Sequence, residues 1–408
     1  MKSLLTMLLI ALPMDQADPV LSSRETQQLG KAIQTYFTAL DEDQGSVKAL
    51  DGVFKVIKSL QKKHKVEDLL SLPFDWQGAF DMAMPYAKTG LRKARVVEGE
   101  MVGQPDFGYQ VRLPKSYKAD KAWPLVLYLA PNASYGDLKG VFSSAAKESD
   151  VYDDFILVAP RLSEESDWTS TMALGSALSP LGVALMAYHA DHDRVHLVAA
   201  AGTAALGMRL AVLFPGRFAS VSFMDEPGDC ASPKNLSNLA VLAGGPGGAA
   251  LAGLMGDAAT RLETPESPPT ELAAAWSWAS SQIRNSYPTR IAFRMAEPVG
   301  REVFWIRAAS FDWRDDAEIM ERPGLTAEVH DRNRIVLDCE GITAVNVYLS
   351  DALLDLDNPI TIEANGSVWK GHVERNVEKT LQLVYRSNDT RFVYANSQYI
   401  EVPEKSND

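Results

Sequence analysis

Between residues 25 and 70 the apolar positions of the chain recur at helical spacing. Leu29, Ile33 and Phe37 are four residues apart and form one face of a predicted amphipathic helix. A break at Gly45 is followed by a second apolar face that has lysines outside it. The pattern predicts two or three helices ahead of the main domain, and their apolar faces are expected to pack against a neighbouring domain.

After residue 93 the pattern changes to short apolar runs separated by stretches rich in alanine and leucine. The predicted strands are 109–113, 124–129, 155–158, 195–198 and 239–243. The predicted helices between them include 179–190 and 204–214. The first strand alternates, whereas the others are continuous apolar runs suited to strands covered on both faces. Strands alternating with helices predict an α/β domain with a mostly parallel sheet.

Short strands predominate after residue 288. They are predicted at 290–295, 303–307, 334–337 and 344–349, with two more within 380–402. Asn365-Gly366 lies between two further strand segments and predicts a hairpin, since a type I′ turn needs two residues with positive φ. These segments predict a small all-β module of sandwich type.

The start of the chain has the character of an export signal. Met1 and Lys2 precede an apolar stretch that Pro13 ends, as in a secretory signal peptide. The stretch is too short to span a bilayer, which takes about 20 residues, and no later segment is long and apolar enough. We expect an exported protein, periplasmic or extracellular, with cleavage near Ala17. The predicted divisions are a signal peptide (1–17), a helical region (18–93), an α/β domain (94–288) and a β-rich module (289–403).

Composition narrows the range of partners. The 408 residues are 46% hydrophobic and 23% charged, which is typical of a globular protein with well-formed cores. A net charge of −13 argues against binding to nucleic acid, which requires a positively charged surface. Cys230 and Cys339 lie far apart and match no metal spacing, and their pairing is left open. No cofactor and no metal are predicted.

Several motifs in order resemble the secreted α/β-hydrolase esterases, which include polyhydroxybutyrate-depolymerase-like, feruloyl-esterase-like and prolyl-oligopeptidase-like enzymes. The motifs are YQVRLPKSY, WPLVLYLAP, ILVAPR and DHDRVHLVAAAGTAALGMRLAVLFPGRFAS. In that family an Asp-x-x-Arg-Val step leads into a strand, a Gly-x-Ser-x-Gly-Gly turn follows, and a helix closes with Pro and Phe-Ala. The matching residues are Asp191, Arg194 and Val195 for the step, and Pro215, Phe218 and Ala219 for the close. The resemblance runs from Tyr109 to the C-terminus, includes RNSYP at 284–288, and implies an α/β-hydrolase fold.

The turn itself departs from the family. Its six positions are occupied by Ala199, Ala200, Ala201, Gly202, Thr203 and Ala204. The resemblance therefore places Ala201 where the family has its nucleophilic serine, and a methyl group cannot attack a carbonyl. Thr203 carries the only hydroxyl nearby.

The supporting catalytic groups are also missing from their expected positions. The family forms its oxyanion site with backbone N–H groups near a His-Gly pair, where this chain has Ala130-Pro131, and proline has no N–H. The loop expected to carry the acid is glycine-rich and has no carboxylate until Asp257, and no histidine lies between His196 and His330. The prediction is a vestigial site around Ala201, Gly202, Ala130 and Pro131, with no catalytic residue.

Other candidate groups favour ordinary structural roles. His189, His192 and His196 have a spacing that superficially suggests a metal site, but we expect surface histidines. The run AGGPGGAA at 243–250 matches no phosphate-binding motif and predicts a flexible loop. Carboxylates close to Cys230 are expected to raise its thiol pKa and weaken it as a nucleophile. The tryptophans at 168, 276 and 278 are more typical of a core than of a ligand groove.

Three hypotheses remain open. The favoured one is a non-catalytic member of the family that binds an unidentified small-molecule or protein ligand, since a cleft does not depend on the serine. The second is an active serine-type esterase or peptidase-like hydrolase with relocated groups, such as Ser170 or Ser222 with a histidine brought in by folding. The third is a purely structural or interaction protein, in which the helical and β modules matter and the cleft is closed.

Overall fold

The computed structural model describes residues 18–86, 96–101, 104–130, 152–161, 170–315, 318 and 321–405. The predicted signal peptide, Pro131 and Trp168 lie outside these residues, so the expectations about them stay predictions. The four divisions of the chain also stay predictions as boundaries.

Three helices form the N-terminal region. They are α1 (Ser23–Asp41), α2 (Ser46–His64) and α3 (Pro73–Ala83). A capping box starts α1, in which the backbone N–H of Ser22 donates to the Glu25 carboxylate at 2.9 Å. Leu29, Ile33 and Phe37 are buried against α2 and α3, which confirms the predicted apolar face.

The middle of the chain forms an eight-stranded sheet with helices. Its strands are β1 (Val96–Met101), β2 (Gln104–Arg112), β3 (Trp123–Leu129), β4 (Ile156–Pro160), β5 (Ala190–Ala199), β6 (Ser220–Phe223), β7 (Ala240–Leu242) and β8 (Leu262–Glu263). Its helices are α4 (Thr171–Ala187), α5 (Ala204–Leu213), α6 (Gly245–Met255) and α7 (Leu272–Ser280). The spatial order is β1-β2-β4-β3-β5-β6-β7-β8, and only the pairings of β2 are antiparallel. The mostly parallel α/β sheet is thereby confirmed.

Two predictions about this part of the chain were wrong in detail. Helix α4 begins at Thr171 and passes through Pro180, whereas the predicted helix began at Ser179. The run at 243–250 is not a flexible loop, because α6 begins at Gly245. A Cβ on Gly248 would lie 1.8 Å from the Ala243 carbonyl oxygen, so the glycine is required by close packing.

Two sheets form the C-terminal module. One has the order β10-β11-β14-β17, from β10 (Glu302–Val303), β11 (Ile306–Phe311), β14 (Ile342–Leu349) and β17 (Asn396–Glu401). The other has the order β16-β15-β13-β12-β9, from β9 (Arg290–Arg294), β12 (Gly324–His330), β13 (Arg334–Glu340), β15 (Ile360–Ala364) and β16 (Ser367–Gly371). Asn365 and Gly366 have φ of 45° and 86° between β15 and β16, which confirms the predicted hairpin turn.

Two strand predictions in this module were wrong. Residues 303–307 are not one strand, because a turn at Phe304, with φ of 49°, separates β10 from β11. The tail contains one strand, β17, and a helix, α8 (Val377–Ser387), in place of the second strand. Leu381 and Val384 on α8 are buried in the core of the N-terminal helices, so this helix joins the two ends of the chain.

Candidate functional site

The turn between β5 and α5 has the strand–turn–helix form of a nucleophile elbow. Ala201 and Gly202 are exposed at its tip, while Thr203 is buried beneath them. The Thr203 hydroxyl lies 2.8 Å from the carbonyl oxygen of Ala200 and 3.1 Å from that of Leu129. The hydroxyl is directed toward the backbone and ties the turn to the end of β3, so Thr203 has a structural role.

The backbone at the tip differs from a strained elbow. An elbow presents its nucleophile on a sharp, strained turn. Here the left-handed residue is Gly202, with φ of 83°, and Ala201 is not among the residues with positive φ. Glycine adopts this conformation without steric cost, so the turn carries no strained side chain.

Helix α5 nevertheless packs closely against β5. A Cβ on Gly207 would lie 2.6 Å from the Ala199 Cβ. The small residues at this crossing keep the helix N-terminus beside the end of the strand.

The position expected to form the oxyanion site is partly described. Ala130 is buried at the end of β3, in a cluster that includes Tyr128, Ala200 and Trp276. The backbone N–H of Ala200 donates to the Leu129 carbonyl at 2.9 Å, so it is engaged within the protein. Trp276 belongs to this core, whereas Trp278 is partly exposed and its indole N–H donates to Glu263 at 2.8 Å.

Two carboxylates lie at this edge of the sheet, close along the chain to Cys230. Asp225 and Glu226 follow β6, and the backbone N–H of the preceding Met224 donates to the Ala199 carbonyl at 2.9 Å. The Glu226 carboxylate lies 3.3 Å from the position that a Cβ on Gly245 would take, above the first turn of α6. The glycines of α6 leave room for this acidic side chain, which suits the positive end of the helix dipole.

The histidines are buried, so the prediction that His189, His192 and His196 lie on the surface was wrong. His196 Nδ1 is 2.8 Å from the Ser220 hydroxyl, and both side chains are inaccessible to solvent. Burial lowers the pKa of His196 to about 3. Within the described parts of the chain, no group of three or more His, Cys, Asp or Glu side chains is arranged to hold a metal.

The relocated serines do not gain a histidine partner. Ser170 caps α4, where its hydroxyl accepts a hydrogen bond from the Ala173 N–H at 3.1 Å. Ser222 is buried on β6, and its hydroxyl has no hydrogen-bond partner among the described residues.

The cysteines are both free. Burial raises the pKa of the Cys230 thiol to about 11, which agrees with the expected direction but comes chiefly from burial, not from nearby carboxylates. Burial is also the main cause that raises the pKa of Cys339, on β13, to about 12. Neither thiol is suited to act as a nucleophile at neutral pH.

A buried charge cluster occupies the opposite edge of the sheet, where β5 begins. Its members are Asp81, Asp191, Asp193, Arg284, Asp389 and Arg391. Arg284 donates to both Asp389 oxygens, at 2.7 and 3.1 Å, and to Asp193 at 3.0 Å. Arg391 donates to Asp81 on α3 at 2.9 Å. The cluster connects all three regions of the chain.

The two other histidines border this cluster. His192 Nδ1 is 3.8 Å from Asp389, and His189 Nε2 is 3.9 Å from Asp81. Burial and the neighbouring arginines lower the pKa of His192 against the opposing effect of Asp389. From the sequence, Asp191 and the RNSYP segment stand out only through the family resemblance. Their ion-pair partners could not be predicted, because nothing local in the sequence indicates them.

Some known protein structures resemble part of this chain at low sequence identity. No family model matches the chain, and no curated protein matches it. Among solved structures, a thermostable esterase is similar at 14% identity over 47% of this chain and 63% of that chain, with a TM-score of 0.38. An S-formylglutathione hydrolase from Staphylococcus aureus is similar at 10% identity over 45% of this chain and 92% of that one, with a TM-score of 0.33.

A ferulic acid esterase is similar at 18% identity over 32% of this chain and 58% of that one, with a TM-score of 0.26. The chain spans less than two thirds of the length of each of these two esterases. The likeness concerns the α/β-hydrolase class of fold alone.

Proposed function

We propose that this chain is an exported α/β-hydrolase-like protein that has lost its catalytic triad and acts by binding or as a structural component. The observation that carries the proposal is the tip of the β5–α5 turn, where Ala201 carries a methyl group and the residue with left-handed backbone is Gly202. An alanine offers neither a lone pair for attack nor a proton for a base to remove.

The surroundings of the turn support this proposal. The nearest hydroxyl, on Thr203, faces backbone carbonyls. His196 is buried on the strand that leads to the turn, beside Ser220. A triad requires all three groups to converge on one reacting carbonyl, and these residues do not converge.

The second candidate is an active hydrolase with relocated groups, for which His196 and Ser220 form a matched pair among the described residues. Their separation of 2.8 Å suits a base and a nucleophile. However, both side chains have no exposure, and an imidazole with a pKa of about 3 is a weak base at neutral pH. A substrate could reach this pair only if the sheet opened, so we favour the non-catalytic function.

Labelling with a fluorophosphonate tests the loss of the triad. We expect no covalent adduct and no hydrolysis of p-nitrophenyl acetate above buffer, while an active serine esterase treated in parallel is labelled stoichiometrically. An adduct mapped by mass spectrometry to Ser170, Ser220 or Ser222 would establish the relocated hydrolase instead.

Export is proposed separately, from the charged start and short apolar stretch of residues 1–17. Within the described residues no helix has the length and apolarity needed to cross a membrane. We expect the exported protein to lack these first residues when its intact mass is measured. An intact Met1 on cytoplasmic protein would contradict export without bearing on the triad.

A further inference from the structure

A cavity of about 360 Å³ lies between the α/β sheet region, the β module and α8. It is bordered by the short 3-10 turn Pro215–Arg217 after α5, by the turn that joins β10 to β11, and by the end of α8. Its volume falls within the range of small-molecule sites. Helix α5 has ten residues, so about 15 Å of helix separates this cavity from the turn at Ala201.

Aromatic side chains form the inner wall of the cavity. The rings of Phe392 and Tyr394 stack with centroids 5.6 Å apart, and Tyr348 stacks on Tyr394 at 5.0 Å. The Tyr394 side chain is 95% buried, and its hydroxyl has no hydrogen-bond partner among the described residues. The stacked rings give the cavity an apolar inner wall.

The backbone at Phe304 is a second unusual feature of the wall. This buried aromatic residue has φ of 49°, in the left-handed region that bulky residues rarely adopt. The Gly216 backbone packs against it, since a Cβ there would lie 3.2 Å from the Phe304 nitrogen. Strained residues of this kind cluster at ligand sites.

Arginines surround the mouth of the cavity. Arg217 and Arg386 are exposed, Arg307 is half-buried beside the Tyr348 hydroxyl, and none of the three forms an ion pair within the described parts of the chain. Two carboxylates also line the cavity. Asp389 is already paired with Arg284, and Glu302 lies 3.4 Å from the Tyr348 hydroxyl. In a protein with a net charge of −13, this site has an excess of positive charge.

We propose that this cavity binds a small organic anion that has a flat apolar body. The acidic group would be held by Arg217 and Arg386 through charge-assisted hydrogen bonds. The apolar body would pack against Phe304 and Phe392. The site is independent of Ala201 and does not rest on the loss of the triad.

The probe for this proposal is 8-anilinonaphthalene-1-sulfonate, an aromatic anion whose fluorescence rises on binding. N-phenyl-1-naphthylamine has the same apolar body without the charge. We expect saturable binding of the anion at one site, and binding of the neutral compound that is at least tenfold weaker.

Two variants locate the site. Arg217→Gln and Arg386→Gln are each expected to weaken binding of the anion by about fivefold to tenfold, which corresponds to the loss of one charge-assisted contact. Arg24→Gln, at an exposed arginine of α1 that does not line the cavity, is the matched control and should leave affinity unchanged.

The proposal is overturned if the anion shows no saturable binding, or if it binds equally to the protein with both Arg217→Gln and Arg386→Gln. Equal affinity for the neutral compound would also overturn it, since the site would then select only the apolar body.

Discussion

Arg284 and Asp389 form a two-point ion pair inside the protein although 105 residues separate them in the chain. The Arg284 guanidinium also donates to the Gly216 carbonyl at 2.8 Å and lies 4.5 Å from the centre of the Phe392 ring. The pair holds the pKa of Asp389 well below its ordinary value, chiefly through the charge of Arg284 acting against burial. One arginine thus links the segment after α7, the end of α5 and the segment after α8.

Removing one partner of this pair should destabilise the protein strongly. Arg284→Met leaves the buried Asp389 carboxylate without its arginine partner, and we expect a loss of about 3–5 kcal/mol in the free energy of unfolding. Urea denaturation followed by tryptophan fluorescence measures this.

Arg334→Gln is the matched control for that measurement. Arg334 also contacts a carboxylate at two points, on Glu363, but the pair is exposed to solvent. Its loss should lower the midpoint of unfolding far less than the loss of the buried pair, because water screens an exposed ion pair. Equal effects of the two substitutions would show that the buried cluster contributes no more to stability than an exposed ion pair.

A second prediction concerns the crossing of α5 and β5. Gly207→Ala places a methyl group 2.6 Å from the Ala199 Cβ, so helix and strand must separate, at a cost of about 1–3 kcal/mol. Gly175→Ala, on α4, meets no atom within 4 Å and should stabilise the protein by about 0.5–1 kcal/mol. Melting temperatures of the two variants should therefore move in opposite directions. A Gly207→Ala protein as stable as the parent would mean that α5 is not held closely against β5.

The sequence predicted the elements that follow from local pattern. Continuous apolar runs located β3, β4, β5 and β7, because a strand covered on both faces must be apolar throughout. Helix α8 was missed although Leu381 and Val384 have helical spacing and Asn376 caps its start, since valine, threonine and tyrosine in the segment also suit a strand.

The charge cluster could not be predicted from local pattern. Arg391 pairs with Asp81, which lies 310 positions away, and only the completed fold brings them to 2.9 Å. The burial of His196 has a similar cause. His196 lies on β5, a central strand that α7 and its neighbours cover. Side chains of β5 alternate between the two faces of the sheet, and this alternation does not show which face is buried.

A third prediction follows from His196. Its pKa is lowered from 6.5 to about 3 by burial, so between these values the unfolded chain holds a proton that the native protein lacks. Stability is fully present above about pH 6.5 and falls with decreasing pH, by up to about 1.4 kcal/mol per pH unit for this group. His196→Gln should remove that part of the slope between pH 6 and 4.5, where most carboxylates have not yet titrated. His330→Gln, at a partly exposed histidine, is the matched control for replacing an imidazole by an amide.

A fourth prediction is that Ala201→Ser alone does not create an esterase. Ala201 is exposed at the tip of its turn, so a hydroxyl is accommodated and Tm should stay within about 2 °C of the parent. The new serine would have no base, since His196 is buried within β5 and faces Ser220 on the neighbouring strand β6. In serine enzymes the loss of a single triad member costs on the order of 10⁴- to 10⁶-fold in kcat.

Turnover of p-nitrophenyl acetate by the folded variant should therefore equal that of the parent protein. The retained Tm makes this informative, because inactivity cannot then be attributed to unfolding. Hydrolysis several orders of magnitude above buffer would mean that a base and an oxyanion site act together at this turn. The loss of function would then reside in residue 201 alone, and a single substitution would distinguish this protein from an enzyme.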